Sequence, residues 1–329
     1  MTGKRAEVPA SAAQRTVIDA VVIGRNEGAR LLACLASLAP QVRRIVYVDS
    51  GSNDGSAEAA RKAGAEVVAL DMRRPFTAAR ARNAGLALLE DAEHVQFVDG
   101  DCIVQPDWIA TAAAFLADHP EAAVVCGRRR EEHPEASVYN RLCDAEWNTP
   151  CGLALACGGD ALMRLAPLRA AQGYREDLIA GEEPELCLRL RERGWQIWRI
   201  DAEMTLHDAR IHSLRQWARR ARRAGHAFAE GAFLHGPQHW GREARRALFW
   251  GAALPLATLL LALVHPVFWL LLLAYPAQVT RLALREGGGR DGWQRAFFTT
   301  LGKFPESWGV IGFHLSRWRG RRVGLIEYK

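Results

Sequence analysis

No two of the seven cysteines form a CxxC pair, and their number is odd. Cys151 and Cys157 have no companions at zinc-site spacing. That excludes a thiol-built zinc finger and a disulfide framework, and leaves reduced thiols in a cytoplasmic compartment as the simple reading. Residues 1–16 are polar and alanine-rich, with no apolar core, so a loose tail is expected there and no signal peptide. The sequence contains no internal repeat. Its longest absence is one of charge: from Ala247 to Thr280 there is no Asp, Glu, Lys or Arg.

About half of the 329 residues are hydrophobic (49%) and 24% are charged, which rules out a disordered chain and leaves room for a large domain plus an appendage. The formal net charge is +6, but the basic residues crowd into 215–246 and 281–322. Such a C-terminal half suits an anionic partner, either lipid or nucleic acid. The arginines border the uncharged run, so lipid is the expected partner and nucleic acid is not. A span takes about 20 apolar residues as a helix. Here His265–Pro266 breaks the run, with further prolines at 255 and 276, so a two-segment hairpin or re-entrant insertion is expected. Arginines at both ends put both flanks in the cytoplasm. The alternative is a hairpin buried in a soluble core. Residues 292–318 interleave tryptophan and phenylalanine with arginine, as an interfacial amphipathic segment does.

The first 125 residues alternate between two periods. Apolar, β-branched runs at 17–24, 44–49, 66–70, 94–99 and 122–127 read as strands. Between them lie helical patterns: one capped by Asn26 with Leu31, Leu32, Leu35 and Leu38 on a face, one at 56–64, one at 77–91 capped by Thr77, and one near 108–116. Strand–helix alternation at this spacing predicts an α/β fold with a parallel sheet covered by helices. Ligands of such sheets sit at the carboxyl ends of the strands. That rim would carry Arg25–Asn26, Asp49 and Asp99–Asp101. Further on, 182–194 reads as a helix, 195–201 as a strand, and 213–230 as an arginine-rich helix.

In VDGD, Asp99 and Asp101 stand at i and i+2 of an extended chain and point the same way. Like charges so placed call for a cation, and hard oxygen ligands favour Mg²⁺ or Mn²⁺; the bland reading is a solvated strand-end turn. VDSGSNDGS (48–56) puts the Asp49 carboxylate where a base or ribose could donate to it, or is an ordinary Asx-rich loop. Arg80, Arg82 and Asn83 share a helix whose arginines could neutralise a diphosphate. Glu182 and Glu183 open a helix; one could take a proton from an attacking hydroxyl, or both could simply favour the helix dipole. His207 is either a metal ligand or a polar side chain near the surface.

Taken together and in this order, VVIGRNE, VDSGSNDGS, ARNAGL, VDGD, CGGDALMR and GEEPELCLRLRERGWQIW resemble the family 2 glycosyltransferases of GT-A fold, over roughly Ile18 to Ala232. The resemblance implies a GT-A domain over 17–235 and a hydrophobic, membrane-associated region over 236–329. It implies inverting transfer of a sugar from a nucleotide-diphosphate donor to a lipid-linked or envelope-glycan acceptor at the cytoplasmic face of the inner membrane. Asn26, Glu27, Asp49, Arg82, Asn83 and Asp99 would serve the donor. Asp101, with Asp99 and His207, would hold Mg²⁺ or Mn²⁺. Gly159 and Asp160 would line the sugar pocket, and Glu183 would be the general base with Glu182 in reserve. Two departures stand out: Glu183 occupies the place of the family's usual aspartate, and Pro-Thr-Tyr is missing before Asn26–Glu27. A sugar nucleotidyltransferase on a similar sheet, or a non-catalytic membrane-bound binding module, are the competing readings. The first would carry a Gly-rich loop after strand one, which GRNEGARL is not.

Overall fold

The computed structural model describes residues 16–320. The expected tail at 1–16 falls almost wholly outside them. The elements run, in order, β1 (Ile18–Gly24), α1 (Ala29–Leu38), β2 (Ile45–Asp49), α2 (Ser56–Lys62), β3 (Glu66–Ala69), α3 (Ala78–Leu86), β4 (His94–Asp99), β5 (Cys102–Val104), α4 (Trp108–Asp118), β6 (Ala122–Glu131), α5 (Val138–Trp147), β7 (Gly152–Leu153), β8 (Ala161–Arg164), α6 (Leu165–Ala170), α7 (Glu182–Glu192), β9 (Gln196–His207) and α8 (Leu214–His235). The chain then continues through α9 (Pro237–Leu248), a π-helical turn at Phe249–Ala253, α10 (Leu254–Ala262), a 3₁₀ segment at Pro266–Leu273, α11 (Ala274–Arg285), α12 (Arg290–Leu301) and α13 (Lys303–Trp318).

The strands form one sheet in the order β3-β2-β1-β4-β8-β6-β9-β5, with β7 hydrogen-bonded to β9. The half built from β3, β2, β1 and β4 is parallel, as the alternation predicts. The other half is mixed: β8 runs antiparallel to both β4 and β6, and β5 antiparallel to β9. The sheet is therefore not the all-parallel one expected. Short strands such as β5 and β8 carry too few residues to show a period, and their direction is set by pairing alone.

Register fixes the rim. Gly24 pairs with Asp49, and Ile23 pairs with Asp99, so β1, β2 and β4 end level with one another. Strand β9 is longer than expected and runs to His207, which pairs with Cys102 on one side and Glu131 on the other. Beneath the rim, Val21, Val22, Tyr47, Phe97 and Leu162 are fully buried between the helical layers. One expected cap is absent: Gly28, at φ 54°, precedes α1, and Asn26 makes no cap bond. Asn26 instead sits at φ 56°; its N–H donates to Ser52 Oγ and its Oδ1 accepts from the Asn53 N–H. It ties the loop after β1 to the loop after β2.

The C-terminal helices dock on the arginine-rich α8. A Cβ on Gly225 would fall 2.0 Å from the Glu306 carbonyl oxygen, and one on Gly309 would fall 2.1 Å from that of Arg222. The α8 and α13 backbones thus touch at two places where only glycine fits. The uncharged run behaves differently. Pro237–Ala262 forms one 26-residue helix and Pro266–Arg285 a 20-residue helix; both are long and apolar enough to cross a membrane, with 17% and 6% of their apolar windows buried. Leu263 and Val264, at the break between them, are about four-fifths exposed. Of these two helices Ala244, Ala247 and Thr258 are among the buried residues, the first two against Val310 and Phe313, and most of the remaining apolar surface is exposed. In α12 and α13, Trp293, Phe297, Phe304, Trp308 and Trp318 face outward while Val310 and Phe313 pack inward.

Candidate active site

At the carboxyl ends of β1 and β4 the sheet opens into a cleft of ≈ 1110 Å³. The site is arranged around Arg82. It projects from α3, which Thr77 caps by accepting the Arg80 N–H. Its Nη1 donates to Glu182 Oε1 at 3.0 Å and lies 3.0 Å from Glu183 Oε1. Its Nη2 donates to Asp99 Oδ1 at 2.9 Å. The guanidinium is 2% exposed and stands 5.5 Å from the centre of the Tyr174 ring. One buried cation therefore holds the strand-end carboxylate and both helix-start carboxylates in one place. Burial alone would lower its pKa, but Glu183 and Asp99 raise it well above the ordinary value, and Arg82 stays charged.

The carboxylates it gathers respond in opposite directions. Burial tends to raise the Asp99 pKa, but Arg82 and Arg129 outweigh it and hold Asp99 below its ordinary range. Glu183 is pushed up to about 7, first by burial and then by the neighbouring Glu182 charge, with Arg82 opposing. Two carboxyl groups of one cleft thus differ in proton affinity, one fixed as an anion and one poised near neutrality, the division of labour that proton-transfer sites use. Of the helix-start pair, Glu183 is the more open, with its side chain 15% exposed against 4% for Glu182.

Asp101 faces the other way. Its Oδ2 lies 3.3 Å from His207 Nε2, and both side chains are buried. Asp101, Cys102 and His207 bring their ligand atoms within 4.8 Å of one another. Burial raises the Cys102 thiol well above its ordinary pKa, so it is a poor ligand, and a carboxylate oxygen and an imidazole nitrogen remain. That donor set fits Mn²⁺ or Mg²⁺. Arg30 lies 3.7 Å from Asp101 on the same side. The Trp147 ring stands 4.8 Å from the His207 ring. The reading of His207 as a surface side chain fails, because β9 is longer than its sequence pattern shows.

Asp160 forms the floor. It is fully buried, accepts the Asp99 N–H and the Thr205 hydroxyl, and lies 3.0 Å from Arg129 Nε. Beside it, a Cβ on Gly159 would come 2.6 Å from Arg82 Nη2, 2.9 Å from Asp99 Oδ2 and 3.2 Å from Glu183 Oε1. Any side chain there would push the three groups apart.

Two expected donor residues sit elsewhere. Asp49 is buried in its own loop, accepting the Tyr47 hydroxyl and the Gly51 and Ser52 N–H groups, and is not among the cleft lining. Asn83 turns to the far side of α3, where its amide pairs with the Tyr174 backbone and Glu176; it too lies off the cleft, because a one-residue step along a helix rotates a side chain by about 100°. Asn26 and Glu27 line the cleft, and Glu27 pairs with Arg30.

Sequence reading missed Arg129, which donates to Asp99 Oδ2 at 3.1 Å and lies 5.2 Å from the Trp147 ring. In the run GRRRE a strict period of two gives no reason to single it out. A bulge in β6, with register shifts on both sides of Arg128, aims it into the site. Arg220 and Arg223 of α8 also reach the cleft; Arg220 pairs with Glu146 at 2.7 Å.

The architecture and this rim define the GT-A class of nucleotide-diphospho-sugar transferase folds. Residues 19–153 match the family described as Glycosyl transferase family 2. The chain is 27% identical over 192 residues to the succinoglycan biosynthesis protein ExoA of Rhizobium meliloti, covering 54% of this chain and 58% of that protein. It is 27% identical over 233 residues to the pre-mycofactocin glycosyltransferase of Mycobacterium tuberculosis, covering 67% of this chain and 48% of that protein. The chain thus spans about half the length of these relatives. In fold it is similar to the mannosyltransferase PcManGT of Pyrobaculum calidifontis, solved with GDP-Man and Mn²⁺, with TM-score 0.59, 20% identity, and 91% and 88% of the two chains covered. It is also similar to residues 1–349 of S. aureus TarS with UDP-GlcNAc, with TM-score 0.51, 15% identity and 93% of each chain covered.

Proposed function

We propose that the protein is a membrane-bound, metal-dependent, inverting glycosyltransferase. It takes a sugar from a nucleotide-diphosphate donor and gives it to a hydroxyl of a lipid-linked or envelope-glycan acceptor. The observation that carries this is the gathering of Asp99 and Glu183 on the two ends of one buried guanidinium, within a family 2 domain. The mannosyltransferase of similar fold, solved with GDP-Man and Mn²⁺, supports both a sugar nucleotide and a divalent ion as ligands here.

Asp101 and His207, with Asp99 helping, would hold Mg²⁺ or Mn²⁺, which as a Lewis acid steadies the charge that grows on the leaving diphosphate. Glu183 accepts the proton of the acceptor hydroxyl as its oxygen attacks the anomeric carbon. The bond from that carbon to the diphosphate breaks on the opposite face, and nucleoside diphosphate departs. Arg82 keeps Asp99 ionised and keeps the Glu183 pKa from rising further, so that near pH 7 about half of Glu183 is a base. Glu182, nearly closed off, serves as the fixed counter-charge of Arg82. Asp49 would hold the loop after β2 in the shape that receives the base. The exposed apolar helices would lie in the cytoplasmic face of the inner membrane, as a hairpin or re-entrant insertion.

The deciding experiment is a screen of nucleotide sugars on the purified full chain, with and without Mn²⁺, that measures the small product released. Nucleoside diphosphate supports transfer. Inorganic diphosphate would mean a nucleotidyltransferase, and binding without turnover would mean a binding module.

A further inference from the structure

The wall of the cleft opposite the rim is the helix α8, and it changes character along its length. Arg220 and Arg223 face the cleft at one end, and Ala227, Phe228, Gly231 and Leu234 follow on the same stripe. The two ends can be located against the chemistry. Arg220 pairs with Glu146, the neighbour of the Trp147 that stands over His207, so the basic end lies at the metal centre. A Cβ on Gly181, the residue before Glu182, would lie 3.2 Å from Ala227 Cβ, so the middle of the stripe lies beside the candidate base. Beyond it, His235 Nε2 meets Glu185 Oε1 at 3.1 Å, and Trp240 of α9 closes over Gly231, whose added Cβ would come 2.6 Å from the indole.

From the base outward, then, the α8 wall is apolar as far as Leu234. Leu178, Ala180 and Pro184 also line the cleft, and Glu185, a charged group beside them, is taken up by Arg189 and His235. This is the direction an acceptor must take. Its hydroxyl sits at Glu183, the donor diphosphate fills the basic end, and the remainder extends away from the metal. The trough leads to α9, which runs on as one helix into the exposed apolar stretch ending at Ala262. A soluble glycan would want hydrogen-bonding side chains along this path; Glu185 is already engaged by Arg189 and His235, and the rest of the α8 and α9 wall along it is Ala227, Phe228, Gly231, Leu234 and Trp240.

We propose that this trough, walled by Phe228, Leu234 and the Trp240 indole that packs on Gly231, is the acceptor subsite, and that it takes an alkyl or polyisoprenyl chain entering from the bilayer. The inference rests on the transferase reading of the same cleft. The acceptor is a membrane lipid whose polar head stops at Glu183 while its chain stays against α8 and α9. The cost of leaving the bilayer is small, because Leu234 and Trp240 shield the chain from water as the surrounding lipid tails did.

The test uses the full chain in phosphatidylcholine–phosphatidylglycerol vesicles and a hexadecanol carrying a diazirine near its hydroxyl, with crosslinks mapped by mass spectrometry. Saturable labelling within 224–240, displaced by unlabelled hexadecanol, is expected. Leu234→Asp should lower that labelling by about tenfold, because a carboxylate in an apolar trough repels the chain, and leave labelling within 254–285 unchanged. Phe228→Ser serves the same purpose should the first variant fail to fold. Labels confined to 254–285, or labelling in 224–240 that neither saturates nor responds to the variants, would overturn the proposal. Displacement by laminaripentaose rather than by hexadecanol would overturn it in favour of a glycan groove. Nucleoside diphosphate binding, measured on the same samples, separates the two readings: its absence with intact saturable labelling would sink the transferase reading and leave a lipid-binding trough.

Discussion

Nη1 of Arg82 lies 3.0 Å from Oε1 of Glu183, joining a helix from the middle of the parallel half-sheet to the start of α7, a hundred residues later in the chain. Burial and then the Glu182 charge raise the proton affinity of Glu183, the proposed base, and this contact opposes them, which makes the base testable apart from the donor site.

Glu183→Gln keeps the shape of the side chain and cannot take a proton. Transfer should fall by roughly 10²- to 10⁴-fold, the usual worth of a general base, while nucleoside diphosphate affinity by calorimetry stays near wild type. Glu183→Asp should retain partial activity. Near-normal transfer by the Gln variant would pass the role to Glu182.

The pH profile follows from the burial of Glu183 beside Glu182, which the Arg82 contact only partly offsets. Glu183 must be ionised to act, and its pKa of about 7 lies far above an ordinary glutamate. The logarithm of kcat/KM should therefore fall with unit slope below about pH 7, while an unperturbed glutamate would give a limb near pH 4.3. The stability sign runs the other way. A carboxyl whose folded pKa is raised binds more protons in the folded state, so its contribution is full below the unfolded value and is lost as pH rises through about 7. Arg82→Lys, which presents one point charge to partners that a fork now reaches, should move the acid limb upward. A limb that stays in place would show that Arg82 does not tune Glu183.

Metal binding is measurable without turnover. Mn²⁺ titrated into the folded chain and followed by electron paramagnetic resonance should bind at one site. Asp101→Asn and His207→Gln should each weaken it by at least about tenfold, and Asp99→Asn less, since its two oxygens already serve Arg82 and Arg129. Equal affinity in wild type and Asp101→Asn would remove the metal from this corner of the cleft.

Two weakly buried apolar helices of 26 and 20 residues should hold the chain in a bilayer. In fractionated cells the full chain should stay with the membrane pellet through carbonate at high pH and leave it only with detergent. Release by carbonate alone would mean that these helices lie on the surface or cover a partner protein.

Much of this was readable in one dimension, and the reason is local. Asp99 and Asp101 stand together at a strand end, so their presence at one rim is legible, but the expected common direction fails: β4 stops at Asp99, and Asp101, in the turn after it, faces His207. Glu182 and Glu183 open a helix that Gly194 ends, and the charge-free stretch from Ala247 to Thr280 announces itself by composition. The level ends of β1, β2 and β4 follow from alternation, since parallel strands joined by helices present the same ends to one rim.

What the chain by itself could not announce depends on pairings between distant residues. The direction of β8 comes from its hydrogen bonds to β4 and β6, and four residues show no period. His207 comes to Asp101 because β9 pairs with β5 across a hundred residues, and Arg129 turns to Asp99 because β6 is bulged. Asn83 stands next to Arg82 in sequence, yet the helical step turns it out of the cleft and onto the Tyr174 backbone, while Arg82 reaches Asp99. Sequence determined which chemical groups this protein owns and the ends of the elements that carry them, because spacing along a strand or helix sets direction. Only the tertiary structure decided which groups meet, because a buried guanidinium needs carboxylates on every side, and those carboxylates come from elements that are neighbours only in the folded sheet.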